Sequence, residues 1–170
     1  RLWEKGIRYI GINLTSPECV NELLSSEASR IMDRYHVPCN MINFEVTEVA
    51  TQTNPKLFVE NARHMSGLGT IFTLDAFHVA LSRDNVLFEA PFRQIKLSRA
   101  FLHSSMSNET NRTLLKHTIA LLRDLNFEIV AVGIETIEQA DALSVYGCHY
   151  YQGFYYSHPL TESELLDMFK

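Results

Sequence analysis

The chain has 170 residues, of which 46% are hydrophobic and 21% charged, with a net charge of −5. That supplies one domain with a sizeable core, and the acidic balance argues against nucleic acid as a partner, since such binders carry a basic face. No apolar run approaches the roughly 20 residues that span a bilayer, and no signal-peptide pattern opens the chain.

The elements alternate in chain order. Arg8 to Leu14 is a short apolar run that predicts a strand. Ser16-Pro17 predicts an N-cap with proline in the first helical turn. Apolar residues from Val20 to Tyr35 then recur at helical spacing. Met41 to Val46 is the second strand. Asn54-Pro55 repeats the cap signal, and the helix it opens ends at Gly67 and Gly69. Thr70 to Leu74 is the third strand, Ala80 to Ala90 a weakly patterned helix, and Phe92 to Leu97 the fourth strand. Polar Ser104 to Thr110 leads into a helix with Leu114, Leu115, Ile119, Leu122 and Leu125 on one face. Glu128 to Val132 is the fifth strand. Thr136 and Gln139 form a capping box for a helix that stops at Gly147. Cys148 to Phe154 is the sixth strand, and Thr161 with Glu164 caps the last helix.

About six strand–helix units with short connections imply a parallel sheet covered by helices. Periodicity leaves an open sheet and a barrel both available, and no GxGxxG phosphate loop follows a strand. Cys19, Cys39 and Cys148 are widely spaced, which fits free thiols in a cytoplasmic domain. Three N-x-[ST] matches, at Asn13, Asn108 and Asn111, are chance occurrences of a short motif there. The start at Arg1 is that expected of a fragment.

The strands share one feature: each ends in polar residues. Asn13 ends the first, Glu45 and Glu48 the second, Asp75 the third, Lys96 and Ser98 the fourth, Glu135 the fifth and Gln152 the sixth. In a parallel barrel these ends form one rim, where active sites lie. Oxygen ligands gathered there suit a hard cation such as Mg²⁺, which neutralises phosphate and activates water. Taken singly, each of these residues is equally at home as a helix cap or a solvated loop residue.

The following segments together resemble the EAL domain family of cyclic-di-GMP phosphodiesterases. Ile12 to Thr15 is similar to the family's VNLS, and Phe44 to Glu48 to its LE(I/L)TE. Leu74 to Phe77, with Ile95 to Ser98, is similar to LDDFG…LKID. Val130 to Gln139 is similar to VAEGVETxEQ, and Gly147 to Phe154 to GCDxxQGY. The closing Ser157 to Leu160 fits SxPL. The resemblance runs from about Asn13 to Leu160. It implies a single EAL-like domain over residues 1–170, folded as a TIM-like (β/α) barrel. It also implies that the first strand or strands and helix, with the Glu-Ala-Leu signature, lie outside this chain. An open sheet edge would follow, and with it a homodimer or a further segment.

The resemblance further implies a cyclic-di-GMP ligand at the rim and Mg²⁺ or Mn²⁺ as cofactor. Asn13, Glu45 and Asp75 fall on its metal-ligand positions, Lys96 on its catalytic lysine, and Glu48 and Glu135 on carboxylates that support the metal site and its loop. Gln152 falls on a ligand-side glutamine. Three acids of the pattern are replaced: Ala76 stands for the second aspartate of DDFG, Ser98 for that of KID, and Val132 for the glutamate of AEGVE, the family's proposed general base. Valine accepts no proton, and losing a general base costs about 10²–10⁴-fold. The metal set is therefore expected to be incomplete, with Lys96 and Glu135 vestigial and metal weakly held or absent. Phe77 to Arg83 also replaces a glycine-rich loop; His78, Arg83 and Arg93 are minor candidates for a metal or phosphate contact there.

The expected function is a degenerate, catalytically inactive EAL module of bacterial cyclic-di-GMP signalling with a nucleotide-sensing or regulatory role. A protein–protein interaction module without nucleotide binding, and an active or weakly active phosphodiesterase, are the alternatives. GGDEF or sensory domains are expected beside it in a longer chain, which could be membrane-anchored.

Overall fold

The computed structural model describes residues 5–78 and 86–169. The chain forms two compact units, one of residues 9–96 and one of residues 97–169 with 5–8.

In the first unit, β1 (Ile10–Asn13) leads to α1 (Ser16–Cys19) and α2 (Leu24–Arg34). β2 (Ile42–Thr47) is followed by α3 (Glu48–Thr51) and α4 (Pro55–Gly67), then β3 (Ile71–Phe77), α5 (Val86–Glu89) and β4 (Gln94–Leu97). The strands lie side by side in chain order, and β1, β2 and β3 pair parallel. Right-handed β-α-β returns place consecutive parallel strands next to one another. The core is aromatic. Phe72 stacks near Phe44 and meets Phe58 edge-on, at centroid distances of 5.5 and 6.2 Å, and Phe58 in turn faces Phe92 at 6.0 Å. β1 differs from β2 and β3: Ile10 and Ile12 are 39% and 41% exposed.

The single helix expected from Ser16 to Tyr35 is two helices. Thr15, not Ser16, is the N-cap of α1. Its backbone N–H and hydroxyl both donate to Glu18 Oε2 at 2.7 Å. The break follows because Asn21 Oδ1 accepts from Leu23 N–H at 2.9 Å, a side-chain turn that competes with helical bonding. Asn61 of α4 then holds the Asn21 carbonyl at 3.0 Å. The Asn54-Pro55 start is as expected, with Asn54 Oδ1 accepting from Leu57 N–H. Of the helix expected from Ala80 to Ala90, the described part is α5; residues 79–85, including Arg83, lie outside the described residues.

The second unit contains α6 (Arg99–Ser105), α7 (Glu109–Asp124), β5 (Glu128–Val132), α8 (Ile137–Tyr146), β6 (Tyr150–Gln152) and α9 (Glu162–Asp167). β5 and β6 pair parallel, with Val132 opposite Gln152. Leu115 and Ile119 of α7, Ile129 of β5 and Leu143 of α8 are buried in its core. The capping boxes at Thr136/Gln139 and Thr161/Glu164 are formed, and Gly147 terminates α8 at a φ of 94°. α6 was not expected; Ser98 caps it, its Oγ accepting from Phe101 N–H at 3.2 Å. The three cysteines are free, and burial pushes the Cys19 thiol up to about 11 and that of Cys148 to about 12.

Candidate functional site

Within residues 9–96 the site is built from strand ends. Register places Asn13 directly beside Glu45, and Asp75 beside Thr47, two residues further on. Side chains two apart share a face of a strand, so Asn43 and Glu45 point the same way, as do Thr73 and Asp75, and Gln94 and Lys96. Lys96 Nζ donates to Glu45 Oε2 at 2.6 Å, with the two side chains only 11% and 12% exposed. Glu45 Oε1 lies over Gly11, whose missing Cβ leaves the space it occupies. Asp75 turns inward on its own backbone: Oδ1 accepts from Ala76 N–H at 2.7 Å. Ala76 has a φ of 55°, a left-handed conformation that aspartate and asparagine tolerate better than alanine. Asn13 is exposed, and Glu48 begins α3, half-buried.

Beneath these groups lies a buried polar layer that the sequence reading missed. Thr73 Oγ lies 2.8 Å from Asn43 Oδ1 and 3.1 Å from Gln94 Oε1, its one proton shared between them, and Asn43 Nδ2 donates to Gln94 Oε1 at 3.2 Å. Gln94 Nε2 donates to the Tyr9 hydroxyl at 2.9 Å. Asn43, Thr73 and Gln94 are all buried. The signal was available: each stands two residues before a polar strand end.

Within residues 97–169 the candidate residues are placed differently. Glu135 follows β5 and accepts a hydrogen bond from Arg99 of α6, in a pair whose side chains are 63% and 46% exposed. Arg99 lies across Gly133, which has a φ of 83° and no Cβ to obstruct it. Gln152 is exposed, and its carbonyl accepts from Gly133 N–H at 2.7 Å and Ile134 N–H at 3.1 Å. A shallow pocket of about 210 Å³ is lined by Arg99, Val132, Glu135, Gln152 and Phe154, so the structure does gather Glu135 and Gln152 around Val132. Arg99 was missed from sequence because nothing in its neighbours marks it; its role appears only through Gly133 and Glu135.

The fold is that of the TIM-like (β/α) EAL barrels, by likeness to solved structures. The chain superposes on the c-di-GMP complex of the PaMucR phosphodiesterase with a TM-score of 0.86 at 25% identity, covering 96% of this chain and 68% of that one. On the FimX EAL domain from Pseudomonas aeruginosa bound to c-di-GMP the TM-score is 0.82 at 19% identity, covering 89% and 62%. The EAL domain family model matches residues 1–159, and the chain belongs to that family. Among curated relatives, the cyclic di-GMP phosphodiesterase RocR of Pseudomonas aeruginosa is 27% identical over 93% of this chain and 40% of its own length. The bifunctional diguanylate cyclase/cyclic di-GMP phosphodiesterase MucR of the same organism is 26% identical over 98% of this chain and 25% of its own. The chain thus spans well under half the length of these relatives.

The carboxylates at the strand ends, where the family resemblance places a divalent cation, already carry protein partners. Among the described residues no three His, Cys, Asp or Glu side chains form a cluster able to hold a metal ion. Glu45 Oε2 is bonded by Lys96, Asp75 Oδ1 by the Ala76 amide, and Ala76 offers no side-chain oxygen. No helix among the described residues is long and apolar enough to cross a membrane.

Proposed function

We propose that this chain is a single, non-catalytic EAL module of cyclic-di-GMP signalling, acting as a nucleotide sensor or regulatory element. One observation carries the reading: the carboxylates a phosphodiesterase needs to hold metal and activate water are tied to protein groups. Glu45 is bound by Lys96, Asp75 by the Ala76 amide and Glu135 by Arg99. Val132, where the family pattern has its general base, offers no proton acceptor. Gln152 and Glu48 are the residues to which we assign ligand contact. The cyclic-di-GMP named for the MucR and FimX structures supports nucleotide as the ligand class.

The test is calorimetric titration of cyclic-di-GMP with and without Mn²⁺, with chromatography of the product. Binding without turnover is the expected result. Turnover above the uncatalysed rate would replace this reading with that of a weak phosphodiesterase.

A second reading, a protein-interaction module, is favoured by an exposed aromatic run: Phe154, Tyr155 and Tyr156 are all exposed, beside Leu160. Absence of nucleotide heat under every metal condition would select it. We also read β1, with its exposed Ile10 and Ile12, as a sheet edge that pairs with another segment or a second copy. Sedimentation that finds only monomer would count against the second copy. GGDEF or sensory domains elsewhere in a longer chain are the natural partners of such a module.

A further inference from the structure

We infer that residues 97–169 carry a second ligand site, a pocket between α6, the loop after β5 and α8, that binds a small amphipathic carboxylate. The ligand's carboxylate takes Arg99 from Glu135, and its hydrocarbon part lies on Leu102, Ile134 and Leu143. The pocket has a volume of about 350 Å³, and these residues are among those that line it. That is at the lower end of the roughly 300–1,000 Å³ of small-molecule sites, and suits a small molecule rather than a dinucleotide. Leu102, Ile134 and Leu143 are buried, so the floor is apolar; Arg99 and Glu135 are exposed, so the charge stands at the mouth. An apolar floor with a few convergent polar groups is the usual make-up of a ligand site.

The choice of an anion follows from how the mouth is built. The aliphatic stem of Arg99 is laid across Gly133, where a side chain would collide with it, so the guanidinium is presented from a packed stem. Its Nη2 donates to Glu135 Oε1, which leaves other N–H donors of the same group for a ligand oxygen. An exposed ion pair exchanges partners readily, and a carboxylate is the group a guanidinium fork fits best. A cation arriving at Glu135 would instead meet the guanidinium already there. Exchange needs only a side-chain movement. The Glu135 and Thr136 amides are held by Gln139 Oε1 at 2.8 and 3.3 Å, so the loop backbone stays fixed while the Glu135 carboxylate turns out to water. Arg99 and Glu135 also line the shallow pocket that contains Gln152, so an occupant here alters the charge presented there.

The site stands apart from the nucleotide reading, and its test contains no nucleotide. Octanoate, octanol and octylammonium are each titrated into the whole chain, and binding is read from the methyl NMR shifts of Leu102, Ile134 and Leu143. Octanoate is expected to shift these methyls and to bind at least fivefold more tightly than octanol, with octylammonium weaker still. Arg99→Gln is expected to remove that preference while leaving octanol unchanged, which a general loss of structure would not do. Glu135→Gln is expected to tighten octanoate at least twofold, because the competing carboxylate is gone. Equal binding of octanol and octanoate, a preference for octylammonium, or no shift at the three methyls at millimolar octanoate would each overturn the inference. So would octanoate binding that is unchanged in Arg99→Gln or not tightened in Glu135→Gln. Both substituted side chains are exposed, so the variants are expected to fold; the three native-chain titrations decide without them. Failure here leaves cyclic-di-GMP sensing standing, and failure of nucleotide binding leaves this pocket untouched.

Discussion

Two ion pairs of similar chemistry occupy very different surroundings. Lys96–Glu45 sits at the ends of β4 and β2 with both side chains nearly buried; Arg99–Glu135 bridges α6 and the end of β5 in open solvent. Each is laid over a glycine, Glu45 over Gly11 and Arg99 over Gly133. At 11% and 12% exposure the first pair is little hydrated, so each charge depends largely on the other. The exposed pair is screened and each partner is readily hydrated. The first is therefore a fixed electrostatic element, whereas the second is a contact that opens at little cost.

The largest expected effect breaks the buried pair. Lys96→Met should destabilise the fold by about 3–5 kcal/mol, because Glu45 is left charged and enclosed; urea unfolding with an unchanged m-value measures it. Glu45→Gln/Lys96→Met should recover much of that loss. Gly11→Ala attacks the same pair from below: its Cβ would collide with Glu45 Oε1, so a loss of about 1–3 kcal/mol is expected.

Ala76→Gly tests the backbone beside Asp75. Relief of the left-handed φ of 55° should stabilise the chain by about 1 kcal/mol, read as a higher denaturation midpoint. Arg99→Met should cost less, about 0–1 kcal/mol, and a loss at least about 2 kcal/mol smaller than that of Lys96→Met separates an exposed pair from an enclosed one.

The smallest effect is in acid. The Thr15 backbone N–H, then its hydroxyl, hold the Glu18 carboxyl below its ordinary value. The contribution to α1 is present above the unfolded-state pKa and is lost as pH falls through the folded one. An NMR titration should show the Glu18 carboxyl protonating at lower pH than in an unfolded peptide, with Thr15 N–H exchange accelerating over the same range.

What the sequence made legible follows physical length. α4, α7 and α8 span several turns, and their caps at Asn54, Asn108 and Thr136 are encoded in the residues themselves. α1, α3 and α6 have four, four and seven residues, too few for a periodic pattern to appear. Ser98 reads in sequence as a polar strand end and a lost aspartate; in the fold it is the cap that starts α6. The strand-end candidates were visible from position alone. Their pairing was not, since Glu45 and Lys96 lie 51 residues apart and meet only through the order of β2, β3 and β4. The break between α1 and α2 escaped for the opposite reason: apolar spacing from Val20 onward looked continuous, and one Asn21 hydrogen bond overrode it.

The Asn43–Thr73–Gln94 layer has a consequence for how this unit assembles. The three side chains meet across β2, β3 and β4, and displacing either β3 or β4 removes a hydrogen bond from the buried Asn43 side chain. A shift of one residue in any of them would also send its polar group to the opposite face. β2, β3 and β4 should accordingly lose amide protection at one common free energy, as a single cooperative opening event.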